Sequence, residues 1–494
     1  MRQTLVPWRT VERLEGQDWV AFIAVTWAVV VAVLIGIGGN LADRGAIFAA
    51  ALPLVVAVVS RSIRGTLIGL AVWLIALGLA RRLIASGTGS GVSNDPLLLV
   101  GPAVIGVLFL VASARGTFRR ATPLASSVLL LSVLALVEAF NPLQGGILIG
   151  LGGLLLVLFP MLAFWVGREL LDGTTLRQLL RVVAVLAALD AVYGLVQQFA
   201  GFPSWDVRWV NTSGIVALNI NGFTRSFGSL SSAQEYAIFL TIGLVLWITL
   251  FSWGHIAWVT LQLAAIGAIV VAFVLESERT SLVLVVLTLG ALAAARSGRR
   301  PTGAVIVAAV FLVLLYVGVN QFLPQSPTQG NPTNATAAFT GHLISGIADP
   351  TGQASTFSGH FNAQVNGVES GITHPVGHGT GSITIAASHL GNGALLGTEF
   401  DIGNSAVAFG FAGFLLYLVV AWRALSAVYR RAATRKDALS LAILGIAGTT
   451  LLQWLNGDLY AVAWLFWLTL GWVDSQAMHE AAELGPTIPS LVKA

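Results

Sequence analysis

The chain has 494 residues, of which 56% are hydrophobic and only 10% are charged. Together with a mean hydropathy of +0.84, this composition excludes an ordinary soluble domain, whose surface needs more charged side chains. The 26 Lys and Arg residues exceed the 22 Asp and Glu residues, but they are scattered between apolar stretches and form no basic stripe, so we expect no nucleic-acid partner. The chain contains no cysteine, which excludes disulfides and thiolate chemistry.

Apolar stretches recur along almost the whole chain. Windows of about 19 residues predict an all-α, polytopic membrane protein with about 12–14 membrane helices. Two stretches, 45–60 and 65–80, fall short of the ~20 residues needed to cross a bilayer, and one of them could be re-entrant. The predicted spans lie at about 19–37, 45–60, 65–80, 96–114, 123–140, 145–166, 178–199, 233–252, 256–275, 280–296, 303–323, 403–422, 437–455 and 459–476.

The distribution of cations predicts the orientation of these spans. If residues 1–18 form an uncleaved cytoplasmic N-terminus, 20 of the 26 Lys and Arg residues lie in the cytoplasm, as the positive-inside rule requires. Residues 477–494 are then a cytoplasmic tail, and the protein is a multi-pass inner-membrane protein. The remaining six cations lie outside: Arg44, Arg81, Arg82, Arg208, Arg225 and Arg279.

The same orientation divides the chain into segments. Helices within 19–323 form an N-terminal membrane region that includes an exterior loop at 200–232, and helices within 403–476 form a C-terminal one. Between them, residues 324–402 form one large extracytoplasmic loop without Lys or Arg. A loop of this length is usually functional or disordered.

Two exterior arginines stand close to helix ends. Arg279 is predicted at the outer mouth of a span, where its guanidinium could bind a phosphate through two parallel hydrogen bonds. The alternative is that it reaches to lipid phosphates or pairs with Glu276 or Glu278. Arg208 lies in the exterior loop 200–232 and belongs to the same candidate set.

Arg225 lies in a polar segment, 221–237, that leads into the next span. Such a segment is suited to contact a ligand. The alternative is ordinary loop chemistry, with Ser232 capping the helix and Glu235 in its first turn.

Two carboxylates, Glu399 and Asp401, end the large loop. A carboxylate in a partly dehydrated cleft can take a proton from a sugar hydroxyl, while arginines bind an anionic leaving group. The alternative is a structural role, in which these carboxylates pair with arginines or cap the next helix.

The large loop also holds five of the seven histidines: His342, His360, His374, His378 and His389. His374 and His378 are four residues apart, but the glycines and proline around them prevent one regular helical face from presenting both rings. We therefore predict no metal site and keep both histidines as loop candidates.

Five short segments resemble, in order, motifs of the O-antigen ligase and O-antigen polymerase superfamily of bacterial membrane glycosyltransferases. The resemblance covers about residues 185–425. The segments are Tyr193-Gly-Leu-Val-Gln197, Arg225 to Ala237, Ser277-Glu278-Arg279, His374-Pro-Val-Gly-His378-Gly and Gly410-Phe-Ala-Gly413.

This resemblance implies transfer of a glycan from undecaprenyl diphosphate to a sugar hydroxyl at the outer face of the inner membrane. Arg225 and Arg279, with Arg208, would bind the diphosphate. The His-Asn pair typical of ligases would fall on Glu399-Phe400, so the role of the ligase histidine passes to Glu399, Asp401 or a displaced His389. This departure favours a polymerase-like or other glycan-transferring member over a strict lipopolysaccharide ligase.

The expected enzyme is an inverting, metal-independent glycosyltransferase without a cofactor. Its partners would be the lipid-linked donor, a glycan or lipid-linked acceptor, membrane lipids and a chain-length regulator. The alternative is a transporter or flippase of lipid-linked oligosaccharide, since a dozen or more spans suit alternating access. Charged residues in mid-span are scarce, Asp190 being the main one, and no internal repeat is evident, which favours the enzyme. A structural scaffold would leave the exterior arginines without a role.

Overall fold

The computed structural model describes residues 62–88, 96–213, 218–220, 223–251, 256–276, 278–298, 357–390, 393–398 and 400–483, with isolated positions 303 and 306. The regular secondary structure of these residues is helical apart from one ladder of two-residue strands, β1 (Asn219–Ile220) and β2 (Phe223–Thr224). The prediction of an all-α protein is therefore confirmed for this part of the chain.

Eight helices within the described residues are long and apolar enough to cross a membrane, which confirms a multi-pass protein. The predicted spans 19–37 and 45–60, and most of 303–323, lie outside these residues, so the total of 12–14 stays a prediction. The eight helices are α1 (Ile63–Thr88), α2 (Val100–Ala114, preceded by a 3-10 turn), α4 (Ile147–Leu170), α5 (Gly173–Phe199), α7 (Ala233–Leu250), α8 (Ile256–Glu276), α9 (Arg279–Ser297) and α11 (Asp401–Arg435).

Five further α-helices of the described residues are too short or too polar to be counted among these eight. They are α3 (Pro123–Glu138), α6 (Ser204–Thr212), α10 (Phe357–Thr373), α12 (Ala438–Thr449) and α13 (Ala463–Glu483). Helix α10 and the one-turn helix Ala386–His389 lie within the stretch 324–402. The described part of that stretch therefore contains ordered structure packed on α11.

The stretch 65–80 belongs to the continuous 26-residue helix α1, which is long and apolar enough to cross a membrane. Hydropathy ended this span early because Arg81 and Arg82 follow it. The helix continues past both arginines, and the side chain of Arg82 is buried in an ion pair with Asp206, 3.2 Å away.

The bundle has two ends with different chemistry. The arginine-rich end holds the ion pairs of Arg168 with Asp474 and of Arg431 with Glu480. The opposite end, here called the loop end, holds the described residues of the segments 200–232 and 374–400, together with the segment 450–462. Its segments contact one another and the helix ends, as when the Asp401 N–H donates to the Leu452 carbonyl. Which side of the membrane each end faces stays a prediction.

Helices α4 and α13 approach each other almost backbone to backbone. A Cβ atom on Gly167 would lie 1.9 Å from the Leu468 carbonyl oxygen, and one on Gly471 would lie 1.9 Å from that of Phe164. Small residues permit such contact where lipid offers no hydrophobic drive between helices.

Helix α11 is broken at Gly410, whose backbone has φ 66° and ψ −171°. The carbonyls of Val407 and Ala408 accept hydrogen bonds from the N–H groups of His378 (2.8 Å) and Gly379 (3.1 Å). The loop after α10 therefore satisfies backbone groups that the break leaves open. Only glycine suits this position, because φ is positive and a Cβ would lie 1.9 Å from the Pro375 carbonyl oxygen.

Candidate functional site

Arg225 joins the segment before α7 to the end of α8. Its side chain is 9% exposed and forms an ion pair with the buried carboxylate of Glu276. Its Nε also donates to the Glu276 backbone carbonyl at 2.9 Å. Because α9 begins at Arg279, directly after this turn, Arg225 and the first residue of α9 belong to one corner of the loop end, although they are far apart in sequence.

The structure shows the partners of Glu276 and the cap of α7, which bear on the alternatives for Arg279 and Arg225. The carboxylate of Glu276, a predicted partner of Arg279, is occupied by Arg225 and by the N–H of Glu278, 3.0 Å away. The alternative for the segment before α7 is confirmed as local structure, because the Ser232 side chain accepts from the N–H of Glu235 at 3.2 Å. This cap does not exclude a second role for Arg225.

A buried polar cluster lies beside Arg225, and sequence reasoning missed it. Arg82 of α1 and Asp206 of α6 form a fully buried ion pair. Asp206 also accepts from the Tyr193 hydroxyl (2.7 Å) and from the Gln197 amide (2.8 Å). Arg82 in turn donates to the Gly228 carbonyl at 2.7 Å. This Asp206 cluster holds the segment after Arg225 against α1 and α5.

Asp190 strengthens the same arrangement from the interior of α5. Its Oδ1 accepts from the N–H of Ser229 at 2.6 Å. The mid-span charge that the sequence singled out is therefore tied to the segment of Arg225. Arg208, the third arginine of the predicted set, lies on α6 with an exposed side chain, two residues after the buried Asp206.

Asp401 is completely buried at the start of α11. Its carboxylate accepts from the hydroxyl of Tyr417 (2.8 Å) and from the backbone N–H groups of Trp454 and Leu455. The geometry is therefore neither an arginine pair nor a helix cap, since the carboxylate joins α11 to the segment 450–462. Its proposed role as a base stays a prediction, now with its oxygens engaged by three donor groups.

The other two predicted bases are Glu399 and His389. Glu399 lies outside the described residues, and only the backbone of His389 is described, at the end of its one-turn helix. Hydrogen bonds connect the start of α11 with the start of α7 through the segment 450–462. The Asp401 carboxylate accepts from the N–H groups of Trp454 and Leu455. In the same segment, the N–H of Ala461 donates to Glu235 of α7 at 2.6 Å.

His374 and His378 lie in the turn after α10. The prediction that this segment is not a regular helix is confirmed. The turn nevertheless brings the two imidazole rings to a centroid distance of 4.5 Å, which helical spacing could not reveal. Among the described residues, no group of three or more His, Asp or Glu side chains is arranged to hold a metal ion.

The histidine pair predicts a pH dependence of stability. Partial burial, followed by the nearby charge of His374, lowers the pKa of His378. The unfolded chain therefore binds this proton at a higher pH than the folded protein does, and stability is lost as pH falls below about 6.5. We expect the melting temperature of wild type in detergent to fall more between pH 8 and pH 5 than that of His378→Gln. An equal fall in both would contradict this origin, and Glu369→Gln, an exposed change on α10, is the control.

Comparison with known proteins adds no relative: no family model matches the chain, and no curated protein matches it. The resemblance to the O-antigen ligase and polymerase superfamily stays a prediction from the sequence. What the structure defines is the coarser class, a multi-pass helical membrane protein with an apolar core and buried polar contacts at both ends.

Proposed function

We propose that this protein transfers a glycan from undecaprenyl diphosphate to a sugar hydroxyl at the loop end of the bundle. The observation that carries the proposal is the corner formed by Arg225 and the first residue of α9, Arg279. The guanidinium of Arg225 lies next to the N-terminus of α9, whose first residue is a second arginine, and this combination favours binding of a diphosphate. The Asp206 cluster supports the proposal because it keeps the segment of Arg225 rigid.

In the proposed reaction, a base takes the proton of the acceptor hydroxyl, and that oxygen attacks the anomeric carbon. The bond from this carbon to the diphosphate oxygen breaks with inversion, and the diphosphate leaves with the bonding electrons. Arginines stabilise its growing negative charge without a metal ion. Glu399, Asp401 and the histidines of the loop are the candidate bases, and the Asp401 carboxylate is already engaged by a hydroxyl and by backbone N–H groups.

The test is conversion of an undecaprenyl-diphosphate-linked glycan by the purified protein in detergent with EDTA. We expect Arg279→Ala to lower the rate by about 100-fold or more, the size of effect found when one charge-stabilising donor is removed. Arg279→Lys should also be impaired, because lysine cannot form the two-pronged contact. Arg119→Ala, an exposed arginine at the other end of the bundle, is the matched control. A normal rate in well-folded Arg279→Ala would contradict the proposal.

Arg225 needs a different design, because Arg225→Ala leaves the buried carboxylate of Glu276 without its partner. The double variant Arg225→Met/Glu276→Leu removes both charges and keeps apolar volume. A folded double variant without transfer activity supports binding of the diphosphate by Arg225. A folded double variant with full activity would show that the ion pair is structural only.

A second candidate, a transporter of lipid-linked oligosaccharide, is favoured by the break in α11 at Gly410. Broken membrane helices often line transport sites with free backbone carbonyls. Here, however, the carbonyls of Val407 and Ala408 are occupied by His378 and Gly379. Absence of product with several donors and acceptors, together with movement of the lipid-linked glycan across liposomes, would favour this candidate.

A further inference from the structure

A cavity of about 770 Å³ opens at the arginine-rich end, far from the predicted transfer site. It lies between the start of α3, the second half of α11 and the last turns of α13. Four of the residues that line it are arginines: Arg120, Arg423, Arg430 and Arg431. We refer to it as the arginine cavity.

The carboxylates of the arginine cavity are already engaged. Asp474 pairs with Arg168 at 2.7 Å and accepts from Thr122. Glu480 pairs with Arg431 at 3.0 Å and with Arg435 at 2.6 Å.

The other three arginines, Arg120, Arg423 and Arg430, form no ion pair within the described part of the chain. Arg423 and Arg430 donate to backbone carbonyls, of Pro123 and Ser426 respectively. The buried Nε of Arg431 has no hydrogen-bond partner among the described residues. The cavity therefore has an excess of positive charge and an unused buried donor, which favour an anion.

The position of the cavity along α11 indicates its depth in the bilayer. Trp422 is 74% exposed and directly precedes Arg423, and exposed tryptophans mark the headgroup level of membrane helices. Arg430 lies about 10 Å further along the helix. Because α11 continues past Trp422 to Arg435, its last turns extend beyond the hydrocarbon core.

The lining is apolar as well as basic. Leu124 and Val473 are buried residues of the wall, and Trp422 forms its rim. We infer that the arginine cavity binds an anionic phospholipid, with the headgroup phosphate on its arginines and an acyl chain along the apolar wall. Guanidinium groups bind phosphate oxygens through paired hydrogen bonds, and basic pockets between membrane helices suit acidic lipid headgroups. A free phosphate would leave the apolar wall uncovered.

The test is a lipid titration of the purified full-length protein, followed by native mass spectrometry. The probes are phosphatidylglycerol, phosphatidylcholine and glycerol phosphate. We expect phosphatidylglycerol to bind most tightly, and Arg423→Gln/Arg430→Gln to weaken its binding about tenfold or more. Arg177→Gln/Arg181→Gln changes the charge equally at exposed positions of α5 outside the cavity, and it should leave binding unchanged. Ala477→Trp fills the cavity without changing charge and should also weaken binding.

Three results would overturn the inference. An equal loss in the α5 control would indicate a general effect of surface charge. Equal binding of phosphatidylcholine would show that the arginines do not select the headgroup. Binding of glycerol phosphate as tight as that of the lipid would identify a soluble phosphate as the ligand.

Discussion

Arg82→Met is expected to lower the free energy of unfolding by about 3–5 kcal/mol, since removing one partner of a buried ion pair leaves the other charge uncompensated. Both side chains of the Arg82–Asp206 pair are fully buried. The guanidinium also lies 4.6 Å from the centroid of the Phe227 ring and donates to the Gly228 carbonyl. The variant therefore loosens α1, α6 and the segment after Arg225 together. Unfolding in mixed micelles, followed by tryptophan fluorescence, measures this loss.

The matched control is Arg81→Met, one residue away on the same helix. Arg81 is only partly buried and lies 5.3 Å from the centroid of the Trp209 ring, so its loss should cost less than the loss of the fully buried Arg82. The double variant Arg82→Met/Asp206→Asn should recover part of the loss, because it removes the uncompensated charge. Equal stability of Arg82→Met and wild type would contradict the importance of this pair.

Asp401→Ala is expected to lower the free energy of unfolding by about 2–5 kcal/mol. The N–H groups of Trp454 and Leu455 would lose their acceptor in the interior, and each unsatisfied buried group costs about 1–3 kcal/mol. Tyr417→Phe removes one donor to the same carboxylate and should cost about 1 kcal/mol. Unfolding in mixed micelles and the transfer assay, applied to the same preparations, separate stability from activity.

Asp401→Asn then distinguishes a structural carboxylate from a base. The NH2 of the asparagine amide would face hydrogen-bond donors that now bind the carboxylate, so a structural role predicts reduced stability. Unchanged stability with complete loss of transfer would show that Asp401 acts in the reaction. Glu369→Gln, an exposed change on α10, is the control for loss of one negative charge.

The ends of the helices differ from their predictions for a local reason. Hydropathy placed the start of one span at about 178, whereas α5 begins at Gly173, capped by Asp172 through the N–H groups of Thr174 and Thr175. Likewise α11 continues to Arg435, beyond the predicted end at 422. Polar turns extend a helix past the hydrocarbon core without adding hydropathy.

The sequence by itself determined that this is a multi-pass helical membrane protein, because a stretch of apolar residues is a local property that the bilayer selects directly. It also singled out Arg225, Arg279 and Asp190 as polar groups in unusual places. Only the tertiary structure decided their partners. Arg82 meets Asp206, and Asp401 meets the N–H groups of Trp454 and Leu455, across long separations in sequence. Backbone donors are the same at nearly every residue, so no sequence pattern marks which of them a buried carboxylate will bind.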